Sequence, residues 1–499
     1  EEAQQRNCLR FVAWAPRRSL RPQYPRRSGI VTDFVESRVS ADTLTELKKY
    51  RRSPSEFFDC EKNLAGYNWR YGPGHVQNRP AFERAIQRVR GELSSLRGLK
   101  GFGFRSGDRP VPKQKLPQET SPGSTLRLEG YRSKGEAYTR AVELATDLVE
   151  RNRTGDVPTR DLPYCDMAAR PSVVPFWERK ARLIWVYPME MVLIEGMFAS
   201  PFIEAAVERK VPLFGWWANK FHHGYQRLRD SCLQAKSVST LDYSRFDQRV
   251  PPWLIYRAFL LLEECFDPEF LESHREEWEL IQRYFVLTPI RTVTGSQGKW
   301  SPVYVKRGGV PSGSWFTQTI DTIVNALMMY TYFEESGKDV SMMTCVGDDN
   351  FSVSRDTLVS EEISTFLSEW FNVVVSAEKS LVLCDTWEGS HFLGSYLSGN
   401  GTPIRPLREV LVNLMNPERT PEEGEPPSLL AERVVSYAFE TGGTDDKVYY
   451  MLKDLWAFLV ARHPEVDQHP SEWSEISLRY WRDIIRDRPP RLVRFPDRD

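Results

Sequence analysis

Cysteine is sparse in this chain. Seven residues in 499 (Cys8, Cys60, Cys165, Cys232, Cys265, Cys345 and Cys384) are dispersed, with no C-x-x-C pair. An odd, scattered set argues against a disulfide framework or a cysteine zinc site and fits a reducing compartment. Histidine is equally scarce, at seven. His222 and His223 are adjacent but lack a partner at ligand spacing, so they make no metal site on their own. No apolar run is long enough to cross a bilayer; the best candidate, Leu183 to Phe198, is interrupted by Glu190 and Glu195. There is no internal repeat and no phosphate-cradling G-x-x-x-x-G-K-[ST] sequence. Gly101-Phe-Gly103 lacks the third glycine and the flanking strand and helix of a dinucleotide fingerprint. The chain starts at Glu1 rather than Met and shows no basic-then-apolar leader, which reads as a trimmed or processed beginning.

What is present describes a globular protein of roughly two to four compact units. Forty per cent of residues are hydrophobic and 27% charged, with 15 Trp, 20 Tyr and 26 Phe to fill cores and supply some rings for base stacking. The net charge is −1, but it is unevenly spread: residues 1–120 hold 24 Lys or Arg against 13 Asp or Glu, a net +11. A basic N-terminal part can follow a phosphate backbone while acidic groups elsewhere gather cations. An ordinary solvated basic surface would look the same.

Patterning divides the chain. The opening, with Arg17, Arg18, Arg21, Arg26, Arg27 and interspersed prolines, reads as an extended arm. Helical spacing is predicted over 80–97, 134–152 and 188–209, with a Gly- and Pro-rich loop over 98–124. From 237 to 400 strands and helices alternate. The expected order is a strand to Asp242, a helix after Pro251, a glycine loop, a helix over 315–333, strands at 341–346 and 351–354, a helix over 360–371 and a strand over 372–376. That is a mixed α/β (α+β) layer with helices packed on one sheet. Residues 416–428 read as a linker or surface loop. The remainder looks helical, with Trp456, Trp473 and Trp481 on apolar faces.

Three pieces in this stretch carry chemistry. Cys345-Val-Gly-Asp348-Asp349-Asn350 sits between strand-like runs, so a hairpin turn offers adjacent carboxylates to a hard cation. Ser239-Thr-Leu-Asp242-Tyr-Ser-Arg-Phe-Asp247 places Asp242 at a strand end. Gly308-Gly-Val-Pro-Ser312-Gly313-Ser-Trp-Phe-Thr317 gives a loop whose backbone can approach a ligand, followed by a helix with Thr317, Asp321 and Asn325 on one face. Each piece alone is common. Their order, with 70 residues from Asp242 to Ser312 and 36 more to Asp348, is informative, because joining nucleotides needs carboxylates from different strand ends around two cations about 3.5–4 Å apart. Asp242 and Asp348 are the principal expected metal ligands and Asp349 the auxiliary. Upstream, Glu178-Arg179-Lys180-Ala181-Arg182 supplies cations, with Lys180 and Arg182 on one strand face where they can clamp a triphosphate.

These motifs resemble those of the viral RNA-dependent RNA polymerases. Leu-Asp242-Tyr-Ser-Arg-Phe-Asp247 is similar to their motif A, Pro-Ser312-Gly313-Ser-Trp-Phe-Thr317 to motif B, Val-Gly-Asp348-Asp349 to motif C, and Lys180-Ala-Arg182-Leu-Ile to motif F. Ser121-Pro-Gly123-Ser124 resembles the motif G region at the template entry, Ala377-Glu-Lys379-Ser motif D, and Phe392-Leu-Gly-Ser-Tyr motif E. The wording is closest to polymerases of small double-stranded RNA viruses, partitiviruses first and picobirnaviruses second. The resemblance implies a right-hand fold: a basic arm over 1–60, fingers over 61–236 and 268–305, palm over 237–267 and 306–400, and thumb over 401–499. It implies two magnesium ions, with manganese as an alternative. It implies Arg179, Lys180 and Arg182 on the triphosphate, and Ser312, Gly313 and Thr317 at the substrate. Asp247 and Asn325 would meet the ribose 2′-hydroxyl, and Lys379 would donate a proton to pyrophosphate. One departure is Asp321, where many plus-strand polymerases have Asn. The implied partners are RNA template, nascent RNA, NTPs and a capsid protein. The implied state is a monomer away from membranes, in the host cytoplasm and within the virion.

Two other readings remain open on sequence. A reverse transcriptase shares the two-metal palm but carries an aromatic gate where Asp247 stands. A non-catalytic RNA-packaging protein could keep the fold, although the intact acids argue against it.

Overall fold

A computed structural model describes residues 9–18, 22–155, 157–220, 223–292, 299–418, 424–441, 445–474, 477–478 and 493–496. Cys8, Arg21, His222, Trp481 and positions 419–423 of the expected linker lie outside these.

Two sheets organise the chain. Their strands are β1 (Leu9–Pro16), β2 (Cys165–Pro171), β3 (Ala181–Val186), β4 (Ser237–Thr240), β5 (Pro289–Arg291), β6 (Trp300–Lys306), β7 (Met342–Val346), β8 (Asp349–Ser354) and β9 (Leu381–Cys384). The larger sheet runs β1-β6-β5-β2-β3, parallel only where β2 meets β5. The other runs β9-β4-β8-β7 and is antiparallel throughout. All four residues of β4 are buried, as befits an inner strand covered on both faces.

The helix Thr317–Ser336 backs this second sheet, and every residue from Thr319 to Phe333 is buried. Its outer side packs on the helix Pro80–Glu92, which starts with proline at its first position and buries Ala81, Phe82, Ala85, Ile86 and Val89. That i, i+3, i+4 spacing is the stripe the sequence announced. On the outward side Arg84 (2.7 Å) and Arg88 both pair with Glu334.

The main core spans these elements from Cys60 to Val373. A second core joins Val31, Phe34, Val35 and Leu47 to the C-terminal helices Leu407–Met415, Pro427–Glu440 and Asp446–Arg462, with Trp456 and Trp473 inside it. Among the described residues no helix is long and apolar enough to cross a membrane.

One expectation gains detail and another needs correction. In the basic opening Leu9–Pro16 pairs along β6 as an edge strand and helices Gly29–Arg38 and Ala41–Lys48 follow, with no helix or longer strand among the described residues between 17 and 28. Its prolines fall at strand ends and between elements, where they cost no ladder hydrogen bond. Residues 372–376 form no strand. Asn372 turns the chain with φ +53°, and Val375 makes a single bridge to Tyr243. The place beside β4 belongs to β9, which sequence reading missed.

Candidate functional site

The register of β7 on β8 pairs Val346 with Asp349, leaving Gly347 and Asp348 as a two-residue hairpin loop. Gly347 has φ +65° and Asp348 has negative φ, the pattern of a type II′ turn, which puts glycine first. Asp348 therefore stands at the tip and Asp349 begins the returning strand.

The turn is held from behind by the Thr317–Ser336 helix. The Gly347 N–H donates to the Thr322 hydroxyl (2.9 Å). The Asn325 amide donates to the carbonyls of Gly347 (3.1 Å) and Asp348 (3.0 Å). The Asn325 oxygen accepts from the Tyr243 hydroxyl (3.1 Å) and the Asn350 amide (3.3 Å). Tyr243 follows Asp242 directly, so one buried amide ties together the two acid-bearing segments. All four hydrogen-bonding positions of Asn325 are in use, and none is left for a ribose.

Asp242 lies exposed just beyond β4. Its N–H donates to the Ser380 hydroxyl (2.9 Å), and its carbonyl accepts from the Ser376 N–H (2.8 Å). This fixes the 376–380 turn, with Lys379, beside the acids.

Electrostatics show the convergence. Burial, with the negative charges of Asp348 and Asp242, pushes the Asp349 carboxyl up to about 7, against a hydrogen bond from the Leu393 N–H (2.8 Å). Asp348 is also raised by desolvation and by Asp242, while Arg182 opposes the shift. Burial raises Asp247 and Asp321 as well, and the charge of Asp348 adds to both; the neighbouring Asp247 raises Asp321 further. The charge of Arg182 opposes the rise in both Asp247 and Asp348, whereas Lys180 is lowered by burial and by Lys379 and Arg182, with Asp242 opposing. Carboxylates that raise one another's proton affinity are oxygen donors of the kind a hard divalent cation takes. The donor set is all oxygen, with no His or Cys. Among the described residues, no three His, Cys, Asp or Glu side chains are grouped closely enough to hold an ion as they stand.

Other expected residues have structural partners. Arg179 is bidentate to Asp59 (2.9 and 2.8 Å), 3.4 Å from Glu56 and over the Phe58 ring at 4.3 Å, so its guanidinium is already engaged. The Ser312 hydroxyl accepts from the Trp185 N–H (3.1 Å) and donates to the Leu183 carbonyl (3.4 Å), fastening its loop onto β3. A Cβ on Gly313 would lie 1.9 Å from the Trp185 carbonyl oxygen, so only glycine fits. The Thr317 hydroxyl donates to the carbonyls of Pro311 (2.6 Å) and Ser314 (3.0 Å). In the expected template region, Gly123 (φ +92°) and Ser124 are buried and Ser121 is half-buried.

Residues 174–455 match the family model described as viral RNA-dependent RNA polymerase. The chain belongs to that family. It is 29% identical over 255 residues, 50% of this chain and 45% of the relative, to the RNA-directed RNA polymerase of Cryptosporidium parvum virus 1 (strain KSU-1). It is 24% identical over 314 residues to that of White clover cryptic virus 1 (isolate Boccardo/2004), covering 56% and 49%. The chain thus spans about half the length of the curated relatives it matches. The crystal structure of the RNA-dependent RNA polymerase of a human picobirnavirus superposes with a TM-score of 0.60 at 15% identity, over 91% of this chain and 87% of that one. That likeness carries the fold. It agrees with the right hand expected from the motifs.

Proposed function

We propose that this polymerase-family protein copies an RNA template into RNA from NTPs, in a site formed by Asp242, Asp348 and Asp349 with Arg182, Lys180 and Lys379. The observation that carries the reading is the Asn325 clasp: a single buried amide holds the Asp348 turn against Tyr243, and so against Asp242. On this reading residues 61–236 and 268–305 serve as fingers, 237–267 and 306–400 as palm, and 401–499 as thumb.

Magnesium, or manganese in its place, would be held by Asp242 and Asp348 with Asp349 assisting, and would supply Lewis-acid neutralisation of the reacting phosphates. The chain's own groups do the rest. Arg182 and Lys180 bind and orient the triphosphate from β3. Lys379, whose charge acts on Lys180, lies on the turn tied to Asp242 and would serve as proton donor for the departing pyrophosphate. Asp247, beside Asp321, would present an acceptor to the ribose 2′-hydroxyl, which deoxynucleotides lack. Ser312, Gly313 and Thr317 shape the loop beneath, and Ser121 is the template-side group with an accessible surface. RNA and NTPs are the partners this chemistry requires; a capsid protein is a further one, within a virion in the host cytoplasm.

The test is incorporation on a short RNA template with ribo- and deoxynucleotides in magnesium. Ribonucleotide addition is expected to dominate. A deoxy preference would transfer the protein to the reverse transcriptases, and no synthesis at all would favour a packaging role.

Asn325→Ala should lower kcat by about 10- to 100-fold, because a slackened turn misplaces the acid it carries. The ratio of ribo- to deoxynucleotide incorporation should stay as in the wild type. A selective rise in deoxy incorporation would return Asn325 to the ribose.

The raised Asp349 carboxyl has a sign-definite consequence. Below the ordinary carboxylate range, near 4, both folded and unfolded chains are protonated there. Between about 4 and 7 the unfolded chain gives up a proton that the fold retains, so stability falls as pH rises, and the loss is complete above about 7. Without divalent cation the melting temperature should therefore decline from pH 5 to pH 8, and magnesium should restore more of it at pH 8 than at pH 5. Equal restoration at both values would contradict the assignment.

A further inference from the structure

The helix Met189–Glu208 is apolar along most of its length, and Glu195 interrupts it at a fully buried position. Burying an ionisable carboxyl is costly unless it is hydrogen-bonded to something that needs it. Glu195 has such partners: Oε2 accepts from the Ser314 hydroxyl (2.7 Å) and from the Trp315 N–H (2.9 Å). Among the described residues neither its other oxygen nor the Tyr187 hydroxyl meets a partner at ordinary hydrogen-bond geometry, although Tyr187 is close enough to oppose the rise in the carboxyl's proton affinity. Burial pushes the carboxyl up to about 7.

Ser314 and Trp315 directly follow the two residues that lie flush on β3. Ser312 bonds to the backbone of Trp185 and Leu183, and Gly313 leaves no room for a side chain against Trp185. The same strand carries Arg182, whose charge acts on Asp247 and Asp348. The far end of the loop is secured separately, where Lys306 donates to the Gly309 carbonyl (2.9 Å).

We infer that Glu195 is a positioning residue for nucleotide binding: by clasping Ser314 and Trp315 it presses the Ser312–Gly313 segment onto β3 and sets the place of Arg182 relative to the acids. This rests on the polymerase reading. Because the clasp needs an acceptor oxygen and not a charge, an amide at this position keeps it.

The experiment measures single-nucleotide incorporation against NTP concentration, together with hydrogen exchange of the backbone over 311–316, in Glu195→Ala, Glu195→Gln, Ser314→Ala and the double variant Glu195→Ala/Ser314→Ala. Glu195→Ala and Ser314→Ala should each raise KM for NTP by about tenfold with a smaller change in kcat. The double variant should be no worse than the more affected single one. Glu195→Gln should stay within about twofold of wild type. Exchange over 311–316 should quicken in Glu195→Ala and not in Glu195→Gln. An unchanged KM and unchanged exchange in Glu195→Ala overturn the clasp, as does a Gln variant as impaired as Ala, or additivity in the double variant. Should Glu195→Ala not fold, Ser314→Ala with wild-type KM is sufficient to reject it. If the wild type makes no RNA, the polymerase reading fails, and the exchange pattern still decides the clasp.

Discussion

Asp348→Asn is expected to cut nucleotide incorporation by about 10³-fold or more, without lowering the melting temperature measured in the absence of divalent cation. The two halves of this result have one cause. Asp348 stands at the hairpin tip, where desolvation and Asp242 disfavour its ionised form, and its charge in turn raises the Asp349 carboxyl. A neutral isostere removes that repulsion, so the cation-free fold gains or stays level. What is lost is an anionic ligand that only a bound cation rewards. Asp242→Asn should lose activity as severely, since Asp242 supplies the opposing strand end. A variant that merely damaged the fold would lose stability and activity together. Retention of more than a tenth of wild-type incorporation in Asp348→Asn would remove the catalytic assignment, whatever the family membership says about the fold.

The local motifs were legible because each has a backbone signature. Gly347 before Asp348 announces a turn, Pro251 and Pro252 announce a helix start, and the stripe from Phe82 to Val89 announces a buried face. What faces a given residue across the fold was not legible. Spacing placed Asn325 on one face with Thr317 and Asp321, but this helix is buried on every side. Its neighbour at that level is the turn, so the amide serves the backbone. Arg179 looked like part of a cationic run; its partner Asp59 lies 120 positions upstream, where no local pattern connects them. The valines at 373–375 have strong strand propensity, yet β9 occupies the ladder place beside β4. A propensity says that a segment suits a sheet, and competition for the edge decides which segment is in it.

Lys306→Ala is expected to destabilise the protein by about 3–5 kcal/mol, the second large effect. Lys306 is completely buried at the end of β6, yet among the described residues it has no carboxylate partner. Its ammonium donates instead to the carbonyls of Gly309 (2.9 Å), Val286 (3.1 Å) and Phe285. The last two are at the C-terminal end of the helix Arg275–Val286, where carbonyls lack intrahelical donors and the helix dipole favours a positive charge. Desolvation lowers the lysine's proton affinity well below its ordinary value, so part of what the contacts contribute is offset. Truncation removes three donors from buried acceptors, each worth about 1–3 kcal/mol when left unsatisfied, and leaves a cavity between Trp185 and Phe285, whose rings lie 5.9 and 5.7 Å from the ammonium. Lys306→Met keeps most of the volume and loses only the donors, so it should cost less than Ala. Because the contact to Gly309 anchors the loop before Ser312, both variants should also weaken NTP binding. Chemical denaturation of the two variants beside wild type checks the order. If Ala unfolds within about 1 kcal/mol of wild type, the three carbonyls find other donors, and Lys306 does not anchor the loop.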